Sequence, residues 1–233
     1  MSFPSHLPPA QRTPLHTKDH PAPPLRFPFR MKIAFWISMV IAVAVVLRRA
    51  IALLAPANAD APPQLAALDA WVAAHAAFTW IHILCALAFV FLLPFIFWNR
   101  TRNSLALQRA FFVLGFVVAA TAYAMNRYAV GGWIERSAVL VFNTLYVLSL
   151  ARAYTYFRRH DIQQQRTWTL RAVAILLGIA TTRPVMGVFF ATARLTHLTP
   201  HDFFGIAFWI GFSINTVAIE LWLRRSSAAA FPA

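Results

Sequence analysis

The side chains best placed to do chemistry here are the charged and hydrogen-bonding ones inside long apolar runs. Arg183 is the clearest, followed at once by Pro184. Proline withdraws an amide donor and frees the carbonyl four residues back, that of Ala180. Gly178 and Gly187 flank the same stretch, so Thr181-Thr182-Arg183-Pro184 reads as a kinked, polar break in a helix. An arginine at mid-depth in lipid costs roughly 2.5–3.5 kcal/mol on insertion scales. It needs carbonyls of neighbouring helices, or a ligand in a wet cavity. His82, Arg127, Asn143, Tyr146 and Asn215 fall in the same half of their runs. With Arg183 they form a candidate ligand-binding set. His82, Arg127 and Arg183 make its lining cationic, with no acid expected at that depth. An anionic or carbonyl-bearing ligand, such as a quinone headgroup or a lipid phosphate, suits such a lining. The alternative is a set of separate interhelical hydrogen bonds.

Arg171 and Glu220 form a second constellation. Each lies three residues inside the same end of consecutive, antiparallel apolar runs, so their depths match and an ion pair is expected. A proton-relay role for Glu220 is the sharper alternative. Four histidines invite a metal or haem reading: His75, His82, His197 and His201. His75 and His82 are seven apart, hence on one helix face. Yet an embedded bis-histidine haem needs two histidines at equal depth on facing helices, and only His82 sits well inside a run. His197 and His201 straddle Pro200, so their spacing is no regular helical pair. Loop histidines are the plainer reading. A lone cysteine, Cys85, excludes an intrachain disulfide and a CxxC metal site. No nucleophile elbow, Gly-rich phosphate loop or HExxH motif is present.

The elements that must position these groups follow from composition. The chain has 233 residues, 60% hydrophobic and 12% charged, against about 25% charged in soluble domains. That excludes an ordinary cytosolic enzyme and a disordered protein. Six apolar runs, about 33–55, 77–98, 108–130, 136–157, 168–192 and 203–223, are each long enough to cross roughly 30 Å of hydrocarbon. Backbone in lipid must satisfy itself, so the fold class is all-α, a polytopic six-transmembrane-helix bundle. No internal repeat supports an inverted-repeat transporter.

Residues 1–32 hold eight of the fifteen prolines and read as a disordered cytoplasmic tail. Met31-Lys32 is an alternative start. Residues 33–223 form the membrane domain and 224–233 a short cytoplasmic tail. Ala57-Asn58-Ala59 resembles a signal cleavage site, but Arg48 and Arg49 interrupt the apolar stretch before it. Thr199-Pro200-His201-Asp202 reads as a helix start, with Thr199 as N-cap and Asp202 as its reciprocal acid.

The formal charge of +14 reflects topology rather than nucleic-acid binding. Arg100, Arg102 and Arg109, then Arg158, Arg159 and Arg166, then Arg224 and Arg225 mark alternate connections. The intervening ones carry Asp60 and Asp69, Glu135 against Arg136, and Asp202 against Arg194. This places both termini in the cytoplasm, with the chain in a bacterial cytoplasmic membrane. Arg48 and Arg49, near the outer end of the first run, are expected to snorkel outward.

One half of the chain resembles a known family. Arg159-His160-Asp161-Ile162, Arg166-Thr167-Trp168-Thr169-Leu170-Arg171, Arg183, Trp209 and Glu220 are similar to the bacterial membrane proteins grouped as domain of unknown function 2306. His82-Ile83 is similar to that family's first histidine, and the likeness covers about residues 70–223. Members usually read His-Arg-x-Trp-Met-x-Arg where this chain has Gln165 in place of the histidine. A second family histidine aligns with Gln108. If family histidines bind haem or metal, this chain lacks those ligands. The resemblance implies a fold and a residue set, not a reaction.

Three functions follow as expectations. The first is a non-enzymatic protein holding a small hydrophobic or anionic ligand in an outer-half cavity. The second is a membrane redox module using haem or quinone. The third is an accessory subunit beside a membrane partner or in a homo-oligomer. The lipid bilayer is the expected surrounding in all three.

Overall fold

A computed structural model describes residues 28–54, 70, 73–74, 76–97 and 104–230. His75, Asp60, Asp69, Trp98, Arg100, Arg102, residues 1–27 and the Ala57-Asn58-Ala59 stretch lie outside the described residues.

The apolar runs fold as helices: α1 (Phe29–Leu54), α2 (Ala76–Phe97), α3 (Leu105–Asn126), α4 (Gly132–Arg158), α5 (Ile162–Leu176), α6 (Gly178–Thr196) and α7 (Pro200–Ala230). Taking α5 and α6 as one interrupted span, six helices are long and apolar enough to cross a membrane. Their outward faces carry large apolar side chains such as Val113, Val188 and Leu221, as lipid contact requires.

The boundaries differ from expectation at both ends. Helix α1 starts at Phe29, inside the stretch assigned to the tail. The Pro28 carbonyl accepts from Met31 N and Lys32 N, so the proline sits where its missing amide costs nothing. At the other end α7 runs on to Ala230, through Ser and Ala residues, and alanine is the strongest helix former.

The break in the fifth span also moves. The sequence places it at Thr181–Pro184, but Pro184 lies within α6 and the interruption falls at Leu177. There Ala180 N bonds back to Leu177 O, a tightened i−3 contact. Helix α7 packs tightly here: a Cβ on Gly178 would lie 2.6 Å from the Phe212 ring. Asn215 on α7 then staples the two halves. Its Nδ2 donates to Ala174 O at 3.1 Å, and its Oδ1 accepts from Thr181 Oγ1 at 2.7 Å.

Sequential helices pack as antiparallel neighbours from α2 to α5, and α7 lies against α4, α5 and α6. Helix α1 touches both α2 and α6, closing the bundle on itself. Phe89, Leu93, Phe111 and Leu150 form the fully buried centre of the α2–α3–α4 core. A second cluster, around Phe203 and Met186, joins α6 to α7. The α7 start has the expected acid: Asp202 Oδ2 accepts from Thr199 N at 2.9 Å and from its hydroxyl at 2.6 Å.

Candidate functional site

A cavity of about 330 Å³ lies inside the bundle, lined by residues from all seven helices. Closure by α1 is what makes it a cavity rather than a groove. Its polar lining includes His82 from α2, Asn143 and Tyr146 from α4, and Arg183 from α6. These four of the six candidate ligand residues meet there.

Each is held differently. His82 Nδ1 lies 2.9 Å from Thr121 Oγ1, which itself donates back to α3 carbonyls. Asn143 Nδ2 donates to Ala119 O at 3.0 Å, and Tyr146 OH donates to Gly115 O at 3.2 Å. A Cβ at residue 115 would sit 2.9 Å from that hydroxyl, so the glycine lets Tyr146 reach the α3 backbone. Arg183 is the exception. Its Nη1 reaches only the soft sulfur of Met186, at 3.6 Å, and its buried Nε has no hydrogen-bond partner among the described residues. A buried guanidinium donor left unmade costs about 1–3 kcal/mol or more.

The other two candidates lie elsewhere. Arg127 is exposed at the end of α3, off the cavity wall, and its carbonyl accepts from Arg136 Nη2 at 2.8 Å. Asn215 is spent on the α5–α6 junction.

The expectation of a purely cationic lining needs correction. Glu135 lines the same cavity and is only 9% exposed. Its Oε2 accepts from Gly131 N at 2.6 Å. Arg136, which balances it in the charge count, serves the end of α3. Close backbone approach draws the carboxylate inward. A Cβ on Gly131 would lie 2.7 Å from Gly205 N, and one on Gly205 would lie 2.6 Å from Glu135 N. The available signal was Gly131-Gly132 followed by an acid in the first turn, a helix start with a capping carboxylate. Arg49 was missed too, and it faces the cavity instead of snorkelling outward. Adjacent helical residues point about 100° apart, and Arg48 is the exposed one of the two. The lining thus carries two guanidiniums against one carboxyl. Asn126 adds a buried Oδ1 without a hydrogen-bond partner among the described residues.

Arg171 and Glu220 meet as a two-pronged pair, Nε to Oε1 at 2.5 Å and Nη2 to Oε2 at 3.2 Å. The guanidinium also lies 4.4 Å from the Trp168 ring centre. Neither side chain lines the central cavity. It ties α5 to α7.

Among the described residues the histidines do not converge. His197 caps α6 in a left-handed conformation, and His201 is exposed, its Nδ1 4.0 Å from Asp202 Oδ1. Among the described residues no three His, Cys, Asp or Glu side chains group as a metal site. Gln165 and Gln108, the two departures from the resembled family, do meet: Gln165 Nε2 donates to Gln108 Oε1 at 2.9 Å. Trp209 Nε1 donates to Ser137 Oγ at 3.2 Å, joining α7 to α4.

No curated protein and no solved structure matches this chain. A family model does match, from Thr79 in α2 to Leu223 in α7. Helix α1, which closes the cavity and supplies Arg49, lies outside the matched region. Six apolar spans, a lipid-facing surface and a match over more than half its length place this chain in the family of predicted membrane proteins DUF2306.

Proposed function

We propose that this protein holds a small amphiphile bearing a carbonyl or a single anionic oxygen in the central cavity. Quinone headgroups are the leading chemical class. The observation that carries the reading is the buried Arg183 Nε, a charged donor without a partner among the described residues. A carbonyl or oxyanion in the cavity supplies the acceptor it lacks. The Asn126 Oδ1 acceptor suits a hydroxyl elsewhere on the same ligand. Phe204, Phe208 and Phe212 give the wall an apolar, aromatic side for a planar ring. Glu135 offsets part of the cationic charge, which favours a neutral or singly charged ligand over a multiply charged one.

Calorimetric titration of the detergent-purified chain with a short-chain benzoquinone tests this. One saturable site per chain is expected, weakened about 10- to 100-fold in Arg183→Met, the worth of a charge-assisted hydrogen bond. Arg194→Gln, at the end of α6, serves as the unaffected control. Equal affinity in Arg183→Met overturns the reading. So does the absence of saturable binding together with no carbonyl amphiphile in an organic extract of the protein.

We also infer a bacterial cytoplasmic membrane and cytoplasmic termini. Arg109, Arg158, Arg159, Arg166, Arg224 and Arg225 gather at one end of the spans. The other end carries Arg48, Arg49, Arg127, Arg136 and Arg194, and there Glu135 and Asp202 offset part of the charge. Reporter fusions at residues 62 and 162 are expected on opposite sides. Both on one side would refute the charge argument.

A further inference from the structure

We propose that the arginine-rich end of the bundle carries a second binding site, for the phosphate group of an amphiphile. A cavity of about 590 Å³ opens there, and it shares no lining residue with the central one. Three guanidiniums reach it from three helices: Arg109 on α3, Arg158 on α4 and Arg166 on α5. No Asp or Glu stands among its described lining residues. Asp161, nearby in sequence, is committed to capping α5, its Oδ1 accepting from Gln164 N at 3.0 Å.

Three guanidiniums around one opening, with no carboxylate among the described lining residues, set up a positive field that an anion complements. The planar guanidinium fork matches phosphate oxygens in pairs. The rest of the cavity is apolar, with Ile96, Phe97 and Phe157 on its walls. The Gln165–Gln108 hydrogen bond joins α5 to α3 across it. A cationic mouth over an apolar wall suits a phosphate head joined to a greasy body. Basic pockets between transmembrane helices take anionic lipid headgroups for this reason. Free phosphate esters offer the same head chemistry.

The full chain in neutral detergent is offered phosphatidylglycerol or phosphatidylcholine, and native mass spectrometry reads the lipid retained. One phosphatidylglycerol per chain is expected, in clear preference to phosphatidylcholine. Arg109→Gln and Arg166→Gln should each weaken retention about fivefold, the worth of one arginine near an anionic lipid surface. Arg159→Gln, adjacent but off the lining, should leave it unchanged, and Arg166→Lys should keep most of it. Circular dichroism checks the fold of each variant. Arg109 is exposed on α3, so Arg109→Gln remains informative if Arg166→Gln misfolds.

Inorganic phosphate separates the two sources. Displacement of the lipid by millimolar phosphate assigns the site to free phosphate esters, and no displacement assigns it to the lipid headgroup. Equal retention of both lipids with no effect of phosphate overturns the proposal. So does an Arg159→Gln loss as large as that of the lining variants.

Discussion

Gly211→Val is expected to cost about 3 kcal/mol of bundle stability, the upper end of the usual penalty for overpacking. A Cβ at this position would lie 2.5 Å from Thr182 Cγ2 and 2.6 Å from the Thr182 backbone nitrogen. Backbone cannot step aside as a side-chain tip can, so α6 and α7 must separate. Separation strains the Asn215 staple and the aromatic cluster around Phe203. Gly187, on the same α6, has nothing within 4 Å of its would-be Cβ. Gly187→Ala should therefore be neutral or stabilising, by up to about 1 kcal/mol from helix propensity. Unfolding titrations in mixed micelles with a denaturing detergent compare the two. A Gly211→Val protein as stable as the parent contradicts the close crossing.

Glu220→Ala should destabilise the chain by about 2–3 kcal/mol, somewhat below the cost of breaking a fully buried pair. The pair is not sealed from its surroundings, with side-chain exposures of 22% for Arg171 and 35% for Glu220. Loss of the carboxylate leaves Arg171 against the Trp168 ring, and a cation–π contact recovers only part of the loss. The double variant Arg171→Met with Glu220→Leu should recover most of the stability, because no charge is left alone. The same unfolding titration gives the cycle. Additive losses in the double variant would show that the two side chains act separately.

The ion pair shows how far a sequence reaches in a membrane protein. Arg171 and Glu220 could be matched because consecutive spans are antiparallel, and counting from the ends compares their depths. The α7 start was equally accessible, since Thr199, Pro200 and Asp202 act within one turn. Glu135 was not, because its burial depends on Gly131 meeting Gly205, two residues 74 positions apart in the chain. Arg127 and Asn215 miss the lining for different reasons: Arg127 stands exposed in the turn past α3, and Asn215 is committed to the α5–α6 junction.

Hydrophobic run length and charge asymmetry thus determined the class of this protein by themselves: an all-α bundle of six spans in a bilayer. Both are properties of single segments, and lipid makes each segment satisfy its own backbone before it meets another. Only tertiary structure decided which polar side chains share a space. It moved the fifth-span break from Pro184 to Leu177, turned Arg49 inward and drew Glu135 into the lining. It also left Arg183 Nε without a partner among the described residues. Those outcomes depend on how each helix is rotated about its axis and on where glycines let backbones touch. Depth in a membrane is a one-dimensional quantity that a sequence encodes, whereas rotation and contact exist only between helices.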